Sequence, residues 1–266
     1  MNSRITTIEE AFPARKRPLL MVALVAGDPF VEATRDYMHA VVSGGADAVE
    51  VLVPFSDPVY HGAVLRRAQR RAMSEKVTWD DIEQLVASFR EDDTDTPVVV
   101  SSYANRVFAR GEERCAQGLA DAGADAVMVM DLPAEEAASF RDELQQRQLP
   151  LIQMVGSTTD DDRFQKLARQ ARGLLVWTGH IGSDLTADLP AFETRLKQLR
   201  RQTSLPLVAS MNVETGEQAA RVGSAAHGVL VGSAVSWLVE GKGPDVDARL
   251  EAFVSDLRLH LDSVAE

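Results

Sequence analysis

Val49-Glu50-Val51-Leu52-Val53-Pro54-Phe55-Ser56-Asp57-Pro58-Val59-Tyr60-His61-Gly62 is the stretch that decides how this chain is read. A β-branched apolar run reads as a buried strand, and it carries one carboxylate, Glu50, in its middle. Pro54 breaks the run into a polar loop with Ser56, Asp57 and His61. An acid in a strand of Val and Leu costs free energy to bury, and such acids cluster at functional sites. The plainer alternative is an acid satisfied by a buried hydrogen bond.

Working outward, the same kind of apolar run recurs. Strands are expected at 19–24, 48–53, 98–101, 126–130, 151–154, 173–177, 207–209 and 228–231. They are mostly Val, Leu, Ile and Met with little alternation, as buried parallel strands require. Helical segments lie between them at 31–43, 79–89, 112–122, 134–147, 160–170, 189–201 and 215–221. A last helix at 247–264 carries Leu250, Phe253, Val254, Leu257 and Leu261 on one face. Thr78 before Trp79-Asp80-Asp81, and the hydroxyls and acids of 157–162, supply helix-start chemistry. This order predicts an α/β chain: a (β/α)8 TIM barrel with a short N-terminal helix near 5–12, as one domain over residues 1–266. Gly45-Ala46-Asp47-Ala48-Val49 recurs as Gly123-Ala124-Asp125-Ala126-Val127, with Ala225-Ala226-His227-Gly228-Val229 as a looser copy. Each is a helix-end glycine or alanine leading into a strand, so turn chemistry explains the repeat as well as duplication does.

Composition narrows the class. The 266 residues are 45% hydrophobic and 26% charged, ordinary for a globular protein, and a single barrel commonly takes about 250 residues. A net charge of −12 argues against nonspecific binding to nucleic acid or an anionic membrane. The one cysteine, Cys115, excludes a disulfide framework within the chain and reads as a packed thiol. No signal-peptide core and no run of membrane-spanning length is present, so a cytoplasmic location is expected.

In a barrel of this kind the site forms at the C-terminal ends of the strands. That rule selects Ala26-Gly27-Asp28-Pro29, Glu50 with Asp57 and His61, Ser101-Ser102-Tyr103, Asp131-Leu132-Pro133, the loop 178–183, Ser210-Met211-Asn212 and Gly232-Ser233. Gly232-Ser233 directly precedes a short helix at 234–240, whose outward backbone N–H groups favour an anion. Gly179, Gly182 and Asn212 offer further close backbone approach, unless they are only tight turns. Glu50, His61 and His180 lie on different loops, so sequence fixes no ligand geometry and no metal is assigned.

The chain resembles the tryptophan synthase α-subunit family. The resemblance rests on Ala26-Gly27-Asp28-Pro29, Gly45-Ala46-Asp47-Ala48-Val49-Glu50, Val53-Pro54-Phe55-Ser56-Asp57-Pro58, Tyr103-Ala104-Asn105-Arg106-Val107-Phe108, Asp131-Leu132-Pro133-Ala134-Glu135-Glu136 and Gly232-Ser233-Ala234. It implies retro-aldol cleavage of indole-3-glycerol phosphate to indole and glyceraldehyde 3-phosphate, with no cofactor in this subunit. It puts Glu50 on the catalytic acid/base. It puts Gly232 and Ser233 on the phosphate turn. Tyr103, Gly182 and Asn212 join them as substrate-binding candidates. Asp57, Pro58 and Asp131 fall on surfaces that such proteins turn toward a pyridoxal-phosphate β-type subunit.

Several positions depart from that pattern. His61 stands where the family has a second catalytic carboxylate, which accepts the indole N–H. Leu52 replaces a glycine, Ser210-Met211-Asn212 replaces Gly-Phe-Gly, and Ser101 and Ser102 replace two apolar residues. Gly179-His180-Ile181-Gly182-Ser183-Asp184 is a shortened, altered loop. A neutral imidazole brings no charge to offset a cationic ring nitrogen, so weak cleavage of the indole substrate, or none, is expected where His61 takes the place of that acid. The serines suggest a more polar pocket. The reading is therefore a carbon–carbon lyase on a phosphorylated substrate with Glu50 and His61 as its catalytic candidates. Two alternatives stay open: a different, more polar substrate, or a subunit that binds a phosphorylated ligand or a β-type partner without useful turnover.

Overall fold

The computed structural model describes Ile8 and residues 17–179, 185–241 and 243–265. Eight parallel strands close a barrel in chain order: β1 (Leu19–Val25), β2 (Ala48–Leu52), β3 (Val98–Ser102), β4 (Ala126–Val129), β5 (Leu151–Gly156), β6 (Leu175–Thr178), β7 (Leu207–Ser210) and β8 (Gly228–Val231), which pairs back to β1. Eleven helices surround them among the described residues. They are α1 (Val31–Ser43), α2 (Ala63–Ser74), α3 (Trp79–Asp92), α4 (Ala104–Arg110), α5 (Glu112–Ala122), α6 (Ala138–Gln146), α7 (Asp161–Gln170), α8 (Leu185–Arg200), α9 (Gly216–Ala225), α10 (Ser233–Glu240) and α11 (Val246–Asp262). Ile8 is helical and fully buried; the rest of the helix expected at 5–12 lies outside the described residues.

Strand alternation aims Glu50. Val49 and Val51 face outward into the core between sheet and helices, while Ala48 and Leu52 face the barrel interior. Glu50, between them in phase, therefore points inward. Its cross-strand partners are Ala23 on β1 and Val99 on β3, both interior. The small Ala23 leaves room beside the carboxyl.

The internal repeat has a physical content. Asp47 accepts the backbone N–H of Leu20 at 2.9 Å and pairs with Arg17 and Arg258. Asp125 accepts the N–H of Val98 at 2.7 Å and pairs with Arg90. His227 accepts the N–H of Leu207 on Nδ1 at 3.0 Å. In each case the residue before a strand satisfies an N–H near the start of the previous strand. Gly45 and Gly123, at φ +100° and +94°, make the reversal that brings the two aspartates there.

The expected helix starts at Thr78 and Asp160 are real caps. Thr78 and Asp81 form a reciprocal capping box, and Asp160 accepts from the N–H of Arg163 at 2.7 Å. Several boundaries differ from expectation. α6 begins at Ala138 rather than 134, because 133–136 is closed as a separate turn by Glu136 N–H to the Pro133 carbonyl, 2.9 Å. α8 begins at Leu185, ahead of 189, and carries Pro190 inside. Two helices, α2 and α4, were not foreseen. The buried face of α2 is only Leu65, Ala68, Gln69 and Ala72, so its apolar signal is slight. No helix among the described residues is long and apolar enough to cross a membrane.

Candidate active site

A cavity of about 730 Å³ opens at the C-terminal ends of the strands. Its deep wall is apolar, with Leu52, Met128, Met130, Met154, Val176 and Leu230. Three methionines give a soft, adaptable surface suited to a flat ring. Glu50 and His61 line one side; Gly232, Ser233 and Ala234 line another. Trp237, 63% exposed, also borders it.

Glu50 is buried and accepts a hydrogen bond on Oε1 from the hydroxyl of Ser101. Burial pushes its pKa up to about 7, and the Ser101 bond only partly opposes this. A carboxyl poised there can both give and take a proton near neutral pH.

His61 is held from behind. Gln69 Nε2 and the Tyr103 hydroxyl each lie 3.0 Å from its Nδ1. Gln69 is itself oriented, since its Oε1 accepts the N–H of Phe55 at 3.2 Å. The Tyr103 hydroxyl accepts the N–H of Tyr60 at 3.3 Å, and its ring stacks on Phe55 at 4.8 Å. Burial lowers the imidazole pKa to about 4, so the ring is neutral at neutral pH.

On the far side of β1 from Glu50, after β8, α10 starts at Ser233. Its first ladder bond is Ser236 N–H to the Gly232 carbonyl, 2.9 Å, and no side chain caps it. The N–H groups of Ser233, Ala234 and Val235 thus precede the ladder. None of the described cavity-lining residues is Lys or Arg, so an anion would rely on these amides and the helix dipole. The helix is anchored at its far end. Glu240 takes a two-point bond from Arg67, both 2.7 Å, and meets Arg71 at 3.0 Å. Arg71 in turn forms a two-point bond, 2.7 and 2.8 Å, with the buried Asp28. The Ala26-Gly27-Asp28-Pro29 turn is therefore tied through α2 to the candidate phosphate helix.

The other expected residues fall as follows. Asn212 borders the cavity, its amide turned to Glu214 at 3.0 Å. Tyr103 is fully buried and sits behind His61, not in the cavity wall. Asp57 is exposed and accepts the Ser56 hydroxyl, whereas Pro58 is buried. Asp131 is exposed and accepts the N–H of Ala104 at 2.6 Å, capping α4. Gly182 and His180 lie outside the described residues. The expectation of a more polar pocket is corrected in part: Ser101 and Ser102 are fully buried off the cavity surface, and only Ser210 lines it. Strand phase turns Ser101 onto Glu50 and not into open space. Cys115 is buried, its thiol pushed up to about 12. Among the described residues no group of three His, Cys, Asp or Glu side chains could hold a metal ion. Gln69, Glu214 and the three methionines were not anticipated; an amide on the buried face of an arginine-rich helix was the one available signal for Gln69.

This arrangement can be set beside known proteins. A family model described as tryptophan synthase alpha chain matches residues 10–259. The chain belongs to the tryptophan synthase alpha chain family. The tryptophan synthase alpha chain of Cupriavidus metallidurans is 37% identical over 266 residues, covering 98% of this chain and all of the relative. That of Xanthomonas axonopodis pv. citri is also 37% identical, over 97% of this chain and 98% of the relative. Among solved structures, tryptophan synthase subunit alpha from Legionella pneumophila superposes with a TM-score of 0.89 at 33% identity, covering 99% of this chain and all of that one. Tryptophan synthase from Mycobacterium tuberculosis gives 0.87 at 26% identity, over 98% and 99% of the two chains. The expected barrel and the resemblance are thus both borne out. In this tryptophan synthase alpha chain family member, Glu50 with Ser101 and His61 with Gln69 share one strand-end site with Gly232-Ser233.

Proposed function

We propose that the protein is a carbon–carbon lyase that cleaves a phosphorylated, aromatic-ring-bearing polyol by a retro-aldol step, with Glu50 as general acid and base. The observation that carries this reading is the inward, buried Glu50, tuned to about 7, on the same cavity as the uncapped start of α10. In indole-3-glycerol phosphate, protonated Glu50 gives its proton to the ring carbon that bears the chain. The carboxylate left behind takes the proton of the adjacent hydroxyl. The carbon–carbon bond breaks, its electron pair restores the ring, and an aldehyde phosphate leaves. Glu50 ends protonated, as it began.

His61 is the weak point for that substrate. The protonated ring is cationic, and a neutral imidazole supplies no opposing charge. Turnover of indole-3-glycerol phosphate is accordingly slow in this reading. The experiment is direct: incubate the protein with that compound and follow indole release, with Glu50→Gln as control. Release that persists unchanged in Glu50→Gln removes the acid/base role.

The partner in this reading is a pyridoxal-phosphate β-type subunit, met by exposed Asp57 and the Asp131 loop, with buried Pro58 holding the first of these in shape. Exposed Val59 and Tyr60 beside Asp57 support it. Sedimentation of a mixture with such a subunit tests it, and two independent boundaries would count against the contact.

A further inference from the structure

We infer that His61 is a fixed hydrogen-bond donor toward the cavity, and that the site selects an aromatic phosphate whose ring carries a hydrogen-bond acceptor, not an N–H, on the His61 side. The ligand class rests on the proposed function; the state of His61 does not.

The argument runs through the neighbours of one nitrogen. Gln69 Nε2 is a donor only, and it sits 3.0 Å from His61 Nδ1. Its amide cannot be turned round, because Oε1 accepts the Phe55 N–H; a flipped amide would point NH2 at that donor. Gln69 thereby decides the roles at Nδ1; the Tyr103 oxygen accepts the Tyr60 N–H, and its own hydrogen can then point at Nδ1, also at 3.0 Å. Two donors converge on Nδ1, so Nδ1 is the unprotonated, accepting nitrogen. In a neutral ring the proton then resides on Nε2. That Nε2–H has no protein acceptor among the described residues, and His61 lines the cavity.

The consequence is a reversed polarity. A ring N–H placed against Nε2–H sets donor against donor and leaves one of them without a protein partner in a pocket lined mostly by apolar side chains. Changing the tautomer does not help, since Nδ1–H would then face the Gln69 amide and displace the Tyr103 hydrogen. A bare ring nitrogen or a carbonyl in the same place accepts from Nε2–H without any rearrangement. Gln69 and Tyr103 are the positioning residues of this donor. Both are fully buried and neither borders the cavity.

Two measurements test this. In protein labelled with nitrogen-15 histidine, with His61 assigned through His61→Gln, we expect the proton on Nε2 and an accepting Nδ1. Tyr103→Phe, which removes only the hydroxyl, is expected to shift the His61 Nδ1 signal. A proton on Nδ1 overturns the assignment. In calorimetry at about pH 8, indolepropanol phosphate is compared with its imidazopyridine isostere, in which a bare nitrogen replaces the indole N–H. The isostere is expected to bind at least about tenfold more tightly, the scale of one mispaired buried donor. His61→Asp is expected to reverse the preference. Equal affinities, or preference for indole in the unsubstituted protein, overturn the selectivity. If neither ester nor glycerol 3-phosphate binds, the proposed function fails and the ligand class with it, while the resonance result still decides the state of His61.

Discussion

Ser101 donates its hydroxyl to Oε1 of Glu50, and both side chains are buried at the barrel mouth. The bond favours the ionised carboxylate and so works against the desolvation that raises the Glu50 pKa to about 7. Ser101→Ala is expected to raise that pKa further, by about one unit. Carbon-13 titration of the Glu50 carboxyl, assigned with Glu50→Gln, reads it. An unchanged titration would mean the hydroxyl does not favour the charged form.

The same burial links Glu50 to stability. Its folded pKa, about 7, lies above the ordinary 4.5. The contribution of the neutral carboxyl is therefore fully present below about 4.5 and is lost as pH rises through about 7. Glu50→Gln keeps an acceptor for Ser101 and carries no charge. We expect it to be more stable than the unsubstituted protein above pH 7, by on the order of 3 kcal/mol, with the gap closing toward pH 4.5. Urea denaturation at both ends of that window checks it; a constant gap would exclude ionisation as the cause.

The inward aim of Glu50 was legible because a strand alternates with period two and its neighbours are apolar. Gly232-Ser233 was legible because an uncapped helix start after the last strand is a local signal. The support of His61 was not. It depends on Gln69, on a helix whose buried face offers a single large apolar residue, and on Tyr103, far away in sequence. Ser101 misled for a related reason: a serine at a strand end reads as pocket polarity, and only the register with β2 shows that it serves Glu50. The Asp28–Arg71–Glu240 chain is also beyond sequence reading, since it joins three elements 43 and 169 residues apart.

That chain gives a third expectation. Asp28 is nearly inaccessible, and burial raises its pKa even against the pull of Arg71. Arg71→Met strands the carboxylate, and a loss of roughly 3–5 kcal/mol is expected, as for other half-broken buried pairs. Adding Asp28→Asn should recover much of it. Chemical denaturation of both variants decides; a double variant no better than the single would show that Arg71 acts through packing or Glu240 instead.

Ser233 is the first residue of α10, a position where proline fits a helix without breaking it. Ser233→Pro therefore removes one outward N–H and the hydroxyl while leaving the ladder intact. Binding of glycerol 3-phosphate should weaken by about tenfold, in keeping with a lost hydrogen bond to a charged group. Calorimetry on a variant of unaltered melting temperature tests it, and undiminished affinity would move the anion site away from α10.

His61→Asp tests the account of chemistry as a whole. A carboxylate at this position would sit beside the ring nitrogen as it becomes cationic, and it accepts an N–H where His61 donates one. Indole release from indole-3-glycerol phosphate is expected to rise by about tenfold or more, with the gain abolished by Glu50→Gln in the same chain. Gln69 and Tyr103, which now donate to Nδ1, can donate to the new carboxylate if it remains within reach. Met211 and Asn212 oppose the gain if they narrow the space for the bicyclic ring. The two effects separate in the kinetics. A restored charge raises kcat, whereas a misfitting ring raises KM. High turnover in the unsubstituted protein, unchanged by His61→Asp, would show that neutral His61 costs the reaction nothing and that charge at this position is not what limits it.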